Sequence, residues 1–226
     1  ILFVPDMHLG INTARSLGIP HDRMFIWHSG QAGAEYRPSG SDLECLDRAE
    51  VVLWGGFCGV HTIFRPDHVT YWKERGYAVH VHPECPADVV AVADGSGSTA
   101  YLWKTVMEAP AGTCLAIGTE SHFVTNARVQ AASHGVSVVH LADISAPGRR
   151  NFACGCATMS RNDPPHLVAM LDLLRQGKAP DLNRVLVADV VDERTGVRER
   201  LDADSRAGIR AEARLALERM IEITER

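Results

Sequence analysis

The stretch AVHVHPECPADVVAVADGSGSTAYLWKTVMEAPAGTCLAIG at residues 78–118 contains, in order, a β-branched run, a Gly/Ser turn, an amphipathic segment and a second apolar run. Residues 78–82 and 114–118 have the composition of strands, and residues 99–109 have helical periodicity. A strand, a helix and a second strand are typical of the βαβ unit, which places parallel strands in one sheet. This stretch therefore predicts an α/β fold.

The same alternation extends along the rest of the chain. Predicted strands cover Ile1–Pro5, Met24–His28, Val51–Trp54, Ala78–His82, Cys114–Gly118 and Ser137–Leu141. Predicted helices cover Ser41–Arg48, Asp67–Gly76, Thr99–Ala109, Ser121–His134, Pro165–Gln176 and Arg206–Ile223. Strands that alternate with helices along the chain favour short parallel sheets with helices on their faces.

The composition excludes several classes of protein. Of 226 residues, 46% are hydrophobic and 23% are charged, as in ordinary globular domains. The net charge of −5 argues against a general surface for nucleic acid or anionic membrane. The chain begins Ile1-Leu2-Phe3 with no basic segment before it, so we expect no signal peptide here. We expect instead that the chain begins inside a strand and that an N-terminal part of a longer protein is missing.

Six cysteines are spread along the chain, at positions 45, 58, 85, 114, 154 and 156. They are too sparse for a secreted disulfide framework, which predicts a reducing, cytoplasmic environment. An unpaired cysteine in such a protein is by default a small buried apolar residue. Sequence context must therefore decide which of them bind a metal.

The segment WGGFCGVH at residues 54–61 follows a predicted strand. Its glycines allow a sharp turn, and a cysteine at a helix start would be favoured as thiolate by the helix dipole. If a helix begins here, Cys58 and His61 share a face and look into a cavity at the strand's carboxyl end. The alternative is a buried cysteine with a capping histidine.

The segment VHVHPEC at residues 79–85 places two histidines on one face of a strand and Glu84 at its rim. A histidine with a partly desolvated carboxylate suits general acid–base chemistry. His80 and His82 are also candidate zinc ligands, or ordinary strand residues. Further on, the turn DGSGST at residues 94–99 leads into a helix and supplies a predicted N-cap at Ser98-Thr99. The same turn is a candidate site for phosphate or carboxylate, although it lacks the ending of a P-loop.

A cysteine-bearing turn, CGC at residues 154–156, precedes a helix that begins with proline. No CxxC pair accompanies it, so a local four-cysteine zinc knuckle is excluded. A thiolate from this turn can meet Cys58 in space. Cysteines from separate loops can hold an iron–sulfur cluster together, and fewer than four thiolates leave one iron open as a Lewis acid.

The succession ILFVPDMHLG, WGGFCGVH, VHPEC, GSGST, GTE and CATMSRN, in this order and spacing, resembles the quinolinate synthase family over residues 1–162. The resemblance implies the condensation of iminoaspartate with dihydroxyacetone phosphate in NAD biosynthesis, with loss of phosphate and two waters. It also implies an open-site [4Fe-4S] cluster held by three cysteines. The fold it implies is a set of repeated three-layer αβα domains with pseudo-threefold arrangement around a central site, the first domain being incomplete.

The resemblance also assigns the cluster ligands. It makes Cys58 and Cys156 ligands and leaves Cys85 and Cys154 as non-ligands. The third ligand is expected upstream of Ile1, so this fragment alone is expected to be inactive. The implied domains are a remainder at residues 1–48, a domain with Cys58 at residues 49–120, and a domain with Cys156 and the C-terminal helix at residues 121–226.

For the substrates, the resemblance makes His82 and Glu84 catalytic and His61, Ser98 and Thr99 substrate-binding. It implies no partner beyond the substrates, except a transient contact with L-aspartate oxidase or aspartate dehydrogenase. Two departures from the family pattern are His8, where the motif usually has Asn, and Ala157, where proline commonly follows the last cysteine.

Two other functions are compatible with the residues. One is a zinc-dependent hydrolase using His80 and His82, which leaves Cys58 and Cys156 without a role. The other is a non-catalytic module that binds a sugar phosphate or a dinucleotide.

Overall fold

The structure is a computed structural model that describes residues 1–28, 36–144, 156, 164–179, 190–191, 198–199 and 201–224. The chain divides into two compact units, residues 1–160 and residues 161–226. Within the described ranges, no helix is long and apolar enough to cross a membrane.

The first sheet of residues 1–160 has three parallel strands. They are β1 (Leu2–Phe3), β2 (Met24–Trp27) and β3 (Val51–Trp54), in the spatial order β1-β3-β2, with helices α1 (Met7–Ser16) and α2 (Ser41–Arg48). The Asp6 side chain accepts a hydrogen bond from the Leu9 N–H and so caps the first turn of α1. Helix α1 covers one face of this sheet, where Ala14, Val51 and Leu53 form the core.

The second sheet has four parallel strands and buries both of its faces. Its strands are β4 (Ala78–Val81), β5 (Gly95–Ser96), β6 (Cys114–Gly118) and β7 (Ser137–His140), in the order β5-β4-β6-β7. Its helices are α3 (Pro66–Lys73), α4 (Ala87–Val92), α5 (Thr99–Met107) and α6 (Ser121–Ala132). Val79 and Val81 pack on one face with residues of α3 and α4, and Ile117 packs on the other with α5 and α6. The predicted α/β fold with helices flanking short parallel sheets is therefore confirmed.

The described part of residues 161–226 contains two further helices and a short antiparallel pair. These elements are α7 (Pro164–Arg175), β8 (Val190–Val191), β9 (Arg198–Glu199) and α8 (Ala203–Thr224). The sequence predicts both helices, because their apolar residues recur at helical spacing.

The predicted bounds are matched by α2, β3 and β6, and the other predicted elements are confirmed with shifted ends. The short strands β8 and β9 were not predicted, and neither were α1, α4 and β5. Helix α1 contains Gly10, Ile11 and Thr13, whose helix propensities are low, so its periodicity is weak. Helix α4 has only six residues and β5 only two, which is too short for a pattern to show. In each case the surrounding sheet, rather than local preference, stabilises the element.

The condition that a helix begins at Cys58 is not met, because a turn leads into a 3-10 helix at His61–Ile63 and α3 begins at Pro66. The domain borders after residues 48 and 120 stay predictions. Strand β3 pairs with β1 and β2, and β7 continues the sheet of β6.

Candidate functional site

Two loops at the carboxyl ends of parallel strands, one from each sheet, meet at one place. Cys58 and His61 follow β3, and Glu84 follows β4. One ligand atom from each of these three residues lies within 4.8 Å of the others. Ligands of α/β folds bind outside the carboxyl ends of strands, so this is a natural position for a site.

The Cys58 loop is held in place by Asp6. The backbone N–H of Cys58 donates to Asp6 Oδ2 at 2.8 Å, and the Asp6 side chain is almost fully buried. The N–H of Met7 donates to the Gly56 carbonyl at 2.8 Å. A Cβ on Gly56 would lie 2.6 Å from the carbonyl oxygen of Pro5, so only glycine allows this close approach.

His61, His82 and Glu84 form a compact cluster. The two imidazole rings are stacked, with centroids 4.5 Å apart and planes at 16°. Glu84 Oε2 lies 2.9 Å from Nδ1 of His61 and 3.9 Å from Nδ1 of His82. The backbone N–H of Glu84 donates to His82 Nδ1 at 3.3 Å, which leaves the proton of the neutral ring on Nε2. Burial, and then the nearby His61, lower the pKa of His82.

Burial controls the protonation of His61. The residue is 7% exposed, and burial lowers its pKa to about 4. Its Nε2 lies 3.2 Å from Thr119 Oγ1. Its buried Nδ1 has no hydrogen-bond partner of acceptable geometry among the described residues, although a Glu84 oxygen is 2.9 Å away. The two atoms are therefore in close contact without the geometry of a hydrogen bond.

The resemblance assigns Cys58 and Cys156 as ligands. Burial raises the pKa of the Cys58 thiol, and the backbone N–H groups of Val60 and His61 oppose that shift. Electrostatic interaction with Glu84 and with Cys156 raises the pKa of Cys58 further, by less than burial does.

The other two cysteines near the motifs differ from this pair. Cys85 is fully buried, its thiol donates to the Gly118 carbonyl at 3.8 Å, and burial raises its pKa strongly. Cys154 lies outside the described residues.

Ser98 and Thr99 lie after β5, which pairs with β4, so they share a sheet edge with His82. Both side chains are exposed. The Ser98 hydroxyl accepts from the Tyr101 N–H at 3.3 Å and caps α5, as the sequence predicts. Within the described ranges, no hydrogen bond links either hydroxyl to His82 or Glu84.

His80 is not part of this cluster. Its Nδ1 lies 3.0 Å from the hydroxyl of Tyr101, whereas the ring of His82 stacks on His61. In the part of the chain that the structure describes, the one group with the spacing of metal ligands is Cys58, His61 and Glu84. The structure therefore does not bring His80 and His82 together as a zinc pair.

Three residues that shape the site were not singled out from the sequence: Asp6, Asn12 and Thr119. The position of Asp6, directly before α1, is a helix-capping signal that could have been used. Thr119 directly follows β6, a buried strand that the sequence predicts with the same bounds. Asn12 gives no such signal, because its partners, Pro83 and Cys85, are distant in sequence.

Comparison with known proteins decides the family. The family model described as Quinolinate synthetase A protein matches residues 1–222. The chain belongs to the quinolinate synthase family. The resemblance carried by the motifs from ILFVPDMHLG to CATMSRN is thereby confirmed.

Curated quinolinate synthases align with most of the chain. The chain is 38% identical to the quinolinate synthase of Herpetosiphon aurantiacus over 226 residues, which is 99% of this chain and 51% of that protein. It is 38% identical to the quinolinate synthase of Acidobacterium capsulatum over 225 residues, covering 99% of this chain and 52% of the relative. The chain thus spans about half the length of the curated relatives it matches.

Proposed function

We propose that this chain is part of an enzyme that condenses iminoaspartate with dihydroxyacetone phosphate to quinolinate, in NAD biosynthesis. The condensation releases one phosphate and two waters as the pyridine ring closes. The observation that carries the proposal is the convergence of Cys58, His61 and Glu84 within 4.8 Å. It combines a thiol donor with an acid–base group at one place, at the carboxyl ends of strands.

The donor set fits a [4Fe-4S] cluster. Thiolates are the usual ligands of such clusters, and the family resemblance assigns Cys58 and Cys156 to that role. Cys58 and Cys156 would be two of the three cysteine ligands of the cluster, and the third cysteine would come from outside this chain. The unsatisfied Nδ1 of His61 adds a neutral donor to the same place. When bound, a cluster with one open iron supplies a Lewis acid for a substrate oxygen.

Glu84 and His82 move protons in this proposal. The Glu84 carboxylate takes and returns protons during tautomerisation and dehydration, because it is partly buried and lies beside two imidazoles. His82 accepts the Glu84 N–H at Nδ1, so its Nε2 proton is available to orient or protonate the intermediate. His61 contacts substrate as a neutral ring, because burial keeps it unprotonated near pH 7.

Ser98 and Thr99 bind an anionic group of the substrates. Their exposed hydroxyls lie where α5 begins, and the positive end of a helix dipole favours a phosphate or carboxylate there. Because an imine of aspartate hydrolyses readily in water, an enzyme that oxidises aspartate must supply it. L-aspartate oxidase or aspartate dehydrogenase would do so through a transient contact.

A mononuclear zinc site is the second candidate. Cys, His and Glu are all zinc ligands, and Cys58, His61 and Glu84 lie close enough to bind one ion. In that case the protein would be a zinc-dependent hydrolase, with Cys156 outside the ligand set. Iron content separates the two candidates.

The test is anaerobic purification of the complete protein, with measurement of iron, sulfide, zinc and quinolinate. We expect a brown protein with one [4Fe-4S] cluster per chain that forms quinolinate from the two substrates. Cys58→Ser and Cys156→Ser should lose the cluster and the activity, whereas Cys45→Ser on α2 should keep both. A colourless zinc-loaded protein, or iron retained in both ligand variants, would overturn the proposal. A protein that binds dihydroxyacetone phosphate without turnover would indicate a binding module.

A further inference from the structure

Helix α1 connects the two loops that form the site. At its start, Asp6 accepts the N–H of Cys58. Further along, the side-chain amide of Asn12 donates to the carbonyl oxygens of Pro83 and Cys85, at 2.8 Å and 2.9 Å. These two carbonyls belong to the residues on either side of Glu84.

The chemistry of the partners fixes the orientation of this amide. Carbonyl oxygens only accept hydrogen bonds, so the NH₂ group of Asn12, and not its oxygen, must face them. Each amide hydrogen engages one carbonyl, which restrains the peptide unit that precedes Glu84 and the peptide unit that follows Cys85. Within the turn, the N–H groups of Glu84 and Cys85 both donate to His82, and Pro83 and Pro86 have no N–H to donate. The two hydrogen bonds from Asn12 add a restraint from α1 on the backbone that carries Glu84.

We propose that Asn12 is a positioning residue for Glu84. By holding the carbonyls of Pro83 and Cys85, Asn12 keeps the Glu84 carboxylate 2.9 Å from His61 Nδ1 and within reach of substrate. The inference rests on the proposed function, in which Glu84 transfers protons. A displacement of about 1 Å at a reacting group can lower a rate by about 100-fold.

The test compares Asn12→Leu with Asn126→Leu in the complete protein, purified anaerobically. Asn126 is an exposed asparagine on α6 and provides the matched control. We expect Asn12→Leu to lower kcat by about 10- to 100-fold, with KM for dihydroxyacetone phosphate changed by less than about twofold. Iron content should be unchanged, and Asn126→Leu should match the unmodified protein. If Asn12→Leu does not fold, Asn12→Asp keeps the side-chain shape while removing both donors, and should show the same loss of kcat.

A double-variant measurement separates positioning from a general loss of stability. If Asn12 acts through Glu84, Asn12→Leu should lower kcat by less than about twofold in a Glu84→Gln background. The same fold loss in both backgrounds, or a kcat within about twofold of the unmodified protein for Asn12→Leu alone, would overturn the inference.

Hydrogen exchange gives a readout that is independent of turnover. Amides of residues 82–88 should exchange faster in Asn12→Leu than in Asn126→Leu. If the unmodified protein forms no quinolinate, the proposed function fails, and exchange still decides whether Asn12 restrains this turn. Unchanged exchange would overturn the restraint itself.

Discussion

Asp6 and Cys58, 52 residues apart in the chain, are joined by a hydrogen bond of 2.8 Å from the Cys58 backbone N–H to Asp6 Oδ2. The other carboxylate oxygen accepts from the Leu9 N–H and caps α1. One buried side chain therefore fixes both the start of a helix and the cysteine loop.

Replacement of Asp6 should destabilise the protein. We expect Asp6→Ala to lower the free energy of unfolding by about 2–4 kcal/mol, because it removes a helix cap and a second buried hydrogen bond. Asp6→Asn keeps one acceptor and should lose less. Denaturant unfolding measures this, with the exposed Asp22→Ala as control. Equal losses for Asp6→Ala and Asp22→Ala would contradict the role of Asp6.

Gly56 and Gly59, in the same loop, should differ in their tolerance of alanine. A Cβ on Gly56 would lie 2.6 Å from the Pro5 oxygen, whereas a Cβ on Gly59 would meet nothing within 4 Å. We expect Gly56→Ala to cost about 1–3 kcal/mol of stability, since backbone must shift. Gly59→Ala should cost less than about 1 kcal/mol. Thermal unfolding of both variants checks this, and a larger loss for Gly59→Ala would show that the loop is packed differently.

Glu84→Gln should lower turnover strongly, to a rate that is still measurable, without loss of iron. The amide cannot exchange protons, so we expect kcat to fall by about 100- to 10,000-fold. Quinolinate formation and iron content are measured in parallel, and Glu44→Gln on the exposed side of α2 is the control. A bleached Glu84→Gln protein would mean that Glu84 is structural.

The thiol of Cys85 should be unreactive in the folded protein. It is fully buried, and burial raises its pKa, so very little thiolate is present near pH 7. We expect alkylation of Cys85 to be at least about tenfold slower than that of Cys45, which is partly exposed on α2. Mass spectrometry after timed alkylation measures both rates. Comparable rates under native conditions would show that the core around Cys85 opens readily.

Stability should fall as the pH is lowered, and His140 contributes to this. Its Nε2 donates to the Thr119 carbonyl at 2.9 Å, its Nδ1 accepts from the Ala142 N–H at 3.3 Å, and burial lowers its pKa. Below about pH 6.5 the unfolded ring binds a proton that the folded ring does not, so acidification favours unfolding. The stability that neutral His140 contributes is fully present above that pH. It is lost as the pH falls towards the pKa of His140 in the folded protein.

Urea unfolding at about pH 7 and about pH 5 tests this dependence. His140→Gln should be less stable at the higher pH, because it loses buried hydrogen bonds, but its stability should change less between the two. The exposed His21→Gln should keep the pH dependence of the unmodified protein. If His140→Gln keeps that dependence as well, other buried groups such as His61 account for most of the pH dependence of stability.

Most of the fold could be predicted from the sequence, since strand and helix periodicity report local burial. Strands β3 and β6 match their predicted bounds, and Ser98 caps α5 as expected. The strand-end motifs also indicated where Cys58 and Glu84 lie, because carboxyl ends of parallel strands share an edge. Helix α1 was not predicted, because packing on Leu53 rather than its own propensity stabilises it.

The sequence by itself determined the order of strands and helices, the residue types at the site and, through the motifs, the family. Only the tertiary structure decided that the rings of His61 and His82 stack and that Asp6 and Asn12 hold the two loops. The stacked rings and the Asn12 contacts join elements of the two sheets, whereas Asp6 and Cys58 follow paired strands of the first sheet but lie 52 residues apart in the chain. Periodicity describes which face of an element is buried, but the approach of two loops depends on how whole sheets and helices pack in space.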